Sequence, residues 1–289
     1  INVCLIYSEI MKIMPKSLSI YASKILENLN SLDCFFILSK NIIECYPDLI
    51  NIELSFEKMK NAESSKYSPV FIGSFLKTFP FTTFKVVSIF TPKLNISPEF
   101  TLNFILNIFF VNQFPIEQSW EYSYKCFNEG DENIKILSIR SLFTILQRFN
   151  TEKQRELLFP LIFSTQSCVS SKLKISICDN IADNLLLLVS ERSLFFIIEQ
   201  LYEDEDISVR IAALNLISRI RTVNPLSALN FFQTKFQQFP IVYFQIPSKF
   251  DRMTQLSLFP QLIKASGEFA SSHSSNLLKF ILSILDYHN

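Results

Sequence analysis

The stretch of this sequence best suited to nucleophilic chemistry is Ser271-Ser272-His273-Ser274-Ser275. A serine nucleophile needs an imidazole base that is itself oriented by an acid. His273 is one of only two histidines, and the other, His288, also lies near the C-terminus. A serine-rich stretch between two apolar helical segments is equally typical of an inter-helix turn. We therefore interpret this stretch as a turn and predict no catalytic residue.

Two groups of potential metal ligands can be considered. The acidic run Glu203–Asp206 lacks the glycine turn and the terminal glutamate of a calcium loop, and helix capping and solvation explain it better. The cysteines form no CxxC pair and have no neighbouring histidine, which argues against zinc. They are Cys4, Cys34, Cys45, Cys126, Cys168 and Cys178. We expect buried thiols in a reducing compartment, with no metal and no cofactor.

Phosphate-handling motifs are missing from the sequence. Only 3 of the 289 residues are glycine, too few for a glycine-rich phosphate loop or a fold with many tight turns. No kinase glycine loop, HRD-type loop or DFG segment occurs. The 27 basic and 27 acidic residues give zero net charge, and no basic stripe suits a nucleic-acid backbone. The sequence therefore predicts neither an enzyme nor a nucleic-acid-binding segment.

The composition instead predicts helices. Hydrophobic residues make up 48% of the chain and charged residues 19%, which allows a large core. The most apolar stretches, Phe100–Val111 and Leu185–Ile198, are interrupted by polar residues and fall short of the ~18 residues of a membrane span. We predict that both are buried helices. Because the sequence begins at Ile1 without a leader, we expect a piece of a longer protein.

A repeat appears once the helix starts are aligned. In Asp206–Leu214 an acid precedes a branched apolar residue, then Arg210, then small and apolar residues at helical spacing. Related segments start at Asp131, Ser170 and Ser248. Each has a basic residue at the same place, and we name these four the basic ladder: Lys135, Lys174, Arg210 and Arg252. Their steps of 39, 36 and 42 residues bracket the ~40-residue period of HEAT and armadillo arrays.

Companion helices are predicted between the ladder segments. Thr151 is the predicted cap of one of them, and Asn224-Pro225 marks a break followed by a restart. The predicted companion helices and the last helix are Glu117–Asn128, Glu152–Phe163, Glu191–Tyr202, Leu226–Phe239 and Ser275–Tyr287.

The first third of the chain is less regular. Its predicted helices are Val3–Met14, Lys16–Asn28, Asp33–Tyr46, Leu49–Met59, Val70–Thr78, Phe84–Phe90 and Pro98–Val111. We predict an all-α fold, a HEAT/armadillo-type solenoid of stacked antiparallel helix pairs. Irregular helical repeats occupy 1–97 and HEAT repeats 98–289, and together they form one continuous solenoid.

A family resemblance appears at the third ladder segment. The segment Leu201–Arg210 is followed by Ile217-Ser218-Arg219 and by Thr222–Pro225. This succession resembles the N-terminal HEAT array of the TOR (target of rapamycin) protein kinase family, and the similarity covers Pro98–Asn289. A departure is Leu256–Pro260, where the family has a small-residue segment. Pro260 predicts a kink or an end in that helix.

The resemblance implies a non-catalytic scaffold segment of a giant PI3K-related Ser/Thr kinase, with ATP and Mg²⁺ used by a kinase domain elsewhere in the chain. It implies docking of a Raptor-like adaptor, pairing with a second kinase protomer, and cytoplasmic, endomembrane-associated nutrient signalling. The alternative is a HEAT-repeat transport or adaptor protein of karyopherin-like or clathrin-adaptor-like type. One tryptophan, Trp120, and balanced charge count against a karyopherin, and we predict that Trp120 belongs to the core.

The basic ladder has two interpretations. In the structural one, each cation reaches an acidic group at a neighbouring helix start. Arg210 is then expected to grip Asp206, or an acid of the next repeat, in bidentate fashion. In the functional one, the ladder is a docking ridge for an acidic partner. The structural interpretation is favoured because the ladder accompanies the repeat itself.

Overall fold

The computed structural model describes residue 21 and residues 24–90, 97–111, 114–168 and 170–288. These residues form α-helices and short 3-10 turns and contain no strand, so the all-α prediction is confirmed. Two compact units are present, Ile1–Ile145 and Leu146–Asn289. The predicted helix Val3–Met14 and most of Lys16–Asn28 lie outside the described residues. The division at residue 97 stays a prediction.

The first unit contains helices α1 to α7, and its short connections include three 3-10 turns. The helices are α1 (Leu32–Cys45), α2 (Ile52–Met59), α3 (Ser68–Thr78), α4 (Thr83–Phe90), α5 (Pro98–Ile108), α6 (Ile116–Glu129) and α7 (Glu132–Leu146). The 3-10 turns are Pro47–Leu49, Ala62–Ser64 and Pro80–Thr82.

Phenylalanine rings form the core of the first unit. Helix α1 packs on α3, and α3 packs on α5. Phe36 and Phe71 are fully buried, with ring centroids 5.2 Å apart. Gly73 permits the close approach of α3 to α5, because a Cβ there would lie 2.7 Å from the carbonyl oxygen of Asn107. The helical period thus places large aromatics and one glycine on the faces that meet.

The second unit contains helices α8 to α16. They are α8 (Thr151–Ser167), α9 (Ser171–Asn180), α10 (Leu186–Val189), α11 (Arg192–Leu201), α12 (Ile207–Val223), α13 (Pro225–Gln245), α14 (Lys249–Ser266), α15 (Phe269–Ser272) and α16 (Ser274–His288).

Helix α12 is central to the packing of the second unit. It contacts α9, which precedes it in the sequence, and α14, which follows it, and it also packs on α11 and α13. Helix α8 contacts α9 and α11. Ala212 and Ala213 are buried, which lets neighbouring helices approach α12 closely. Each helix therefore contacts helices that are near it in sequence.

Several helix boundaries differ from the predictions. Thr151 was predicted as a cap, but it is the first residue of α8. The Asn150 side chain caps this helix instead, because its Oδ1 accepts from the N–H of Lys153 at 2.9 Å. Asparagine is a stronger N-cap than threonine. The apolar stretch Leu185–Ile198 is buried in large part, but it forms two helices, α10 and α11, rather than one.

Internal prolines do not end the helices that contain them. Helix α14 continues past Pro260 to Ser266, so an end at this proline is excluded. Helix α13 likewise runs through Pro240 to Gln245, beyond the predicted end at Phe239. Residues after both prolines are buried, among them Tyr243 at 0% exposure. The packing of these residues compensates for the free-energy cost of the backbone hydrogen bond that each proline removes.

A search of the described residues finds no single helix long and apolar enough to cross a membrane. Among the described helices, the pair Ser68–Thr78 and Pro80–Phe90 reaches that length and composition when taken together, and it is bent by 115°.

Candidate functional site

The four residues of the basic ladder occupy the same place in their helices. Each is the fourth residue of its helix, α7, α9, α12 or α14, and its backbone N–H donates to the carbonyl oxygen of the residue before that helix. In all four helices, the side chain of the residue before the helix accepts a hydrogen bond from a backbone N–H of the first turn. The four caps are Asp131 to Ile134 N at 2.9 Å, Ser170 to Leu173 N at 3.4 Å, Asp206 to Ser208 N at 2.8 Å and Ser248 to Asp251 N at 3.3 Å. The sequence repeat is therefore also a repeat of local structure.

Arg210 and Arg252 make equivalent side-chain contacts. Arg210 Nε donates to the carbonyl oxygen of Asp204, and Arg252 Nη1 donates to that of Ile246 at 3.2 Å. Each acceptor lies six residues before its arginine. Both side chains thus fold back and fasten the turn that leads into their own helix.

The prediction that Arg210 grips Asp206, or an acid of the next repeat, in bidentate fashion is wrong. The second contact of Arg210 runs from Nη1 to Gln255 Oε1 at 3.2 Å, so its partners are a backbone carbonyl and an amide. The Asp206 carboxylate is already engaged by the Ser171 hydroxyl and the Ser208 N–H, and these hydrogen bonds lower the pKa of Asp206. A capping carboxylate has little geometry left for an arginine fork.

Lys174 makes the contact that the structural interpretation predicts. Its Nζ lies 2.6 Å from Asp204 Oδ2 in the turn before α12, and the two side chains are only 17% and 13% exposed. The other oxygen of Asp204 accepts from the backbone N–H of Asp206 at 3.0 Å. The pair therefore joins α9 to the start of the next ladder helix.

Lys135 differs from the other members of the ladder. It is half-buried, and within the described ranges it makes no ion pair. The ladder is thus uniform in its backbone position but not in its side-chain contacts.

The acidic run before α12 is divided among several partners. Asp204 pairs with Lys174, Asp206 caps α12, and Glu203 Oε1 lies 2.7 Å from Lys235 Nζ on α13. In the portion of the chain that is described, no three His, Cys, Asp or Glu side chains are grouped so as to hold a metal ion. Capping and ion pairing account for this run.

Asn224 and Pro225 begin α13 as predicted. The Asn224 side chain accepts from Ser227 N at 3.3 Å, and Pro225 is the first helical residue. The amide of Asn224 also donates to Ser190 Oγ at 3.0 Å, 34 residues earlier. This cap therefore connects the start of α13 to the residue that follows α10, as well as starting a helix.

Sequence reasoning missed several arginine contacts between helices, among them that of Arg219. Arg219 Nη2 lies 2.7 Å from Asp183 Oδ1 and also donates to the carbonyl oxygen of Ile181. Asp183 lies 36 residues before Arg219, a separation close to the ladder period. The ladder period of about 40 residues is the sequence signal from which this pair could have been predicted.

A cleft opens beside Arg210, and we name it the Arg210 cleft. Its volume is about 250 Å³, and its lining residues are Tyr202, Glu203, Arg210, Lys235, Gln238, Phe239, Val242 and Gln255. Lys235 Nζ lies 5.3 Å from the centre of the Tyr202 ring, and burial raises the pKa of Tyr202 to about 12. Most of the polar groups in this cleft are hydrogen-bond donors.

A second cavity, of about 300 Å³, lies in the first unit beside α4, α5 and α6. Its lining is chiefly apolar and includes Phe104 and Ile105, with Tyr122 among its polar residues. Burial raises the pKa of Tyr122, and its hydroxyl bonds to Thr101. The described lining contains no His, Asp, Glu or Lys that could serve as a general base.

His273 is placed as the turn interpretation expects. Its ring packs on Phe236 at 5.4 Å, and its Nδ1 lies 3.0 Å from Ser272 Oγ. The Ser272 hydroxyl donates to the carbonyl oxygen of Phe269 at 2.8 Å. With its proton directed to a carbonyl, this serine is not prepared for attack.

Trp120 belongs to the core, as predicted. It is 9% exposed and stacks on Tyr124 with ring centroids 6.4 Å apart. Its ring is therefore not presented as an open binding ledge.

The prediction of buried thiols holds for three of the five cysteines that are described. Cys34, Cys126 and Cys178 are buried, Cys168 is partly exposed and Cys45 is exposed, while Cys4 lies outside the described residues. Burial raises the pKa of Cys178 to about 12, which makes that thiol a poor nucleophile.

No family model matches the chain, and no curated protein is significantly similar to it. The class that the described residues define is an all-α protein.

Proposed function

We propose that this chain is a HEAT-type α-solenoid and serves as a non-catalytic scaffold for protein–protein interaction. The observation that carries the proposal is the equivalence of four helix starts, each with a capping side chain and a basic fourth residue. Four equivalent starts at a ~40-residue period are typical of stacked helix pairs.

Side-chain contacts between neighbouring helix pairs support this proposal. Lys174–Asp204, Arg219–Asp183 and Asn224–Ser190 join residues 30, 36 and 34 positions apart. In a solenoid each repeat contacts only its neighbours, so long-range contacts concentrate near one repeat length. The contacts of α12 with α9 and with α14, its neighbours among the ladder helices, agree with this pattern.

The TOR resemblance gives the proposal its particular form. We infer a scaffold segment of a TOR-like Ser/Thr kinase in nutrient signalling, with a Raptor-like adaptor or a second kinase protomer as partner. The parent chain would supply ATP and Mg²⁺ chemistry from its own kinase domain. Extended surfaces formed by stacked repeats suit such docking.

The experiment is a calorimetric titration of the full chain with a purified Raptor-like adaptor and, separately, with ATP. We expect adaptor binding at micromolar affinity or tighter, about −8 kcal/mol, and no saturable ATP binding. The heat-unfolded chain is the control. If the chain instead bound a nuclear-transport or clathrin-coat component, the result would favour the alternative of a HEAT-repeat transport or adaptor protein. The remainder of the gene gives an independent check, because a TOR-like parent must encode a kinase domain.

A further inference from the structure

The Arg210 cleft lies among the end of α11, α12, α13 and α14. Its volume of about 250 Å³ equals that of roughly eight water molecules at ~30 Å³ each. This is below the usual range of small-molecule pockets, so the cleft suits a single polar group with a few attached atoms.

Tyr202 contributes to the wall of this cleft. The residue is 6% exposed, and its buried hydroxyl has no hydrogen-bond partner within the described part of the protein. A buried hydroxyl without a partner is uncommon, because its desolvation is left uncompensated. Because this hydroxyl is shielded from solvent, the polar groups that can face a ligand in the cleft are those of the other lining residues.

Arg210 and Lys235 supply positive charge to the same cleft. Arg210 uses Nε for the Asp204 carbonyl and Nη1 for Gln255 Oε1, and its Nη2 has no hydrogen bond to any described residue. Lys235 is 15% exposed and is held against Glu203, whose own side chain is 68% exposed. An incoming anion can therefore replace Glu203 at the ammonium group while Glu203 turns to solvent.

The remaining polar lining agrees with an anionic ligand. Gln255 accepts through Oε1, which leaves its amide N–H groups available, and Gln238 offers another amide at the exposed rim. Glu203 is the single acidic residue of the lining, against two cations. The net charge of the lining is thus +1, and most of its groups are donors.

We propose that the Arg210 cleft binds an oxyanion, a carboxylate or phosphate group, between Arg210 and Lys235, with the side-chain amides of Gln238 and Gln255 as neutral donors. Arginine recognises both groups through charge-assisted hydrogen bonds. The proposal concerns the ligand of one cleft and does not require the chain to be a scaffold.

The experiment measures thermal unfolding of the full chain in sodium phosphate and in sodium acetate, with sodium chloride holding the ionic strength constant. A bound anion raises the midpoint saturably, since it binds the folded state. Arg210→Gln should weaken the apparent Kd about tenfold or more. Lys235→Gln should also weaken it about threefold to tenfold, because it removes the second cation of the lining.

Arg252→Gln is the matched control. Arg252 occupies the equivalent helix position and makes the equivalent carbonyl contact, but it does not line the cleft. Its variant should bind the anion with unchanged Kd. Weakening as large as that of Arg210→Gln would show a general charge effect and overturn the proposal. Equal midpoints in chloride, phosphate and acetate would also overturn it, as would an unchanged Kd in Lys235→Gln.

Two further comparisons identify the source of the oxyanion once binding is found. Saturation by phosphate alone assigns a phosphate group, whereas saturation by acetate as well shows that a carboxylate suffices. A capped phosphoserine peptide that binds more tightly than inorganic phosphate indicates a partner's side chain. Equal or weaker binding of the peptide indicates a free ion.

Discussion

Lys174 and Asp204 form a largely buried ion pair, with Nζ 2.6 Å from Oδ2 and side chains 17% and 13% exposed. The two residues lie 30 positions apart and connect α9 to the turn that precedes α12. Because the Asp204 carboxylate also accepts from the N–H of Asp206, and the Asp204 carbonyl oxygen accepts from Arg210 Nε, this turn is fixed by three separate contacts.

Lys174→Met should destabilise the second unit by about 2–4 kcal/mol, between the values for exposed and fully buried pairs. The substitution keeps the apolar stem but leaves the Asp204 carboxylate buried without its cation. Urea unfolding measures the change. Lys153→Met is the control, because its partner Glu156 is 66% exposed, and it should cost under about 0.5 kcal/mol. Equal losses in the two variants would contradict the importance of burial here.

Arg210→Ala should destabilise by about 1–3 kcal/mol, because it removes two part-buried hydrogen bonds. Arg210→Lys should recover little of this, since an ammonium group cannot reach both acceptors in the geometry of a planar fork. Thermal melts in chloride buffer provide the measurement. Arg192→Ala, at an exposed position, should stay within about 0.5 kcal/mol of the native chain. If Arg210→Lys kept the full stability of the native chain, the planar guanidinium group would not be required at this position.

Asp206→Ala should cost about 1 kcal/mol through loss of the N-cap of α12, and Asp206→Asn should cost less because asparagine also caps. Hydrogen bonds from Ser171 and Ser208 lower the pKa of Asp206 below its usual 3.8. Its contribution is therefore complete above the unfolded pKa and is lost as pH falls through the lower folded pKa.

Urea midpoints between pH 7 and pH 2 test this linkage. The native chain should lose stability relative to Asp206→Asn as the pH falls below 3.8. A constant difference between the two chains over that range would contradict the lowered pKa.

Gly73→Ala should destabilise the first unit by about 1–3 kcal/mol, although alanine is ordinarily the better helix former. The new methyl would lie 2.7 Å from the Asn107 carbonyl oxygen and 3.1 Å from the Asn107 Cβ, so α3 and α5 must separate. Chemical unfolding followed by circular dichroism measures the loss. An increase in stability would show that the two helices can separate at no cost.

Several local features were predictable because they depend on residues close in sequence. The cap at Asp206, the restart at Asn224-Pro225 and the common position of the ladder residues follow from backbone hydrogen bonds at helix starts. Helix ends were less predictable. The burial of Tyr243 carries α13 beyond Pro240, and no local propensity contains that information.

The sequence by itself determined an all-helical chain, its repeat of about 40 residues and the place of each ladder residue. The tertiary structure alone decided the partners: Lys174 meets Asp204, whereas Arg210 meets a carbonyl and Gln255 instead of Asp206. Periodicity fixes which face of a helix a side chain occupies. The acceptor that a long side chain reaches depends on distances set by packing between helices, and the Arg210 cleft arises from the same packing.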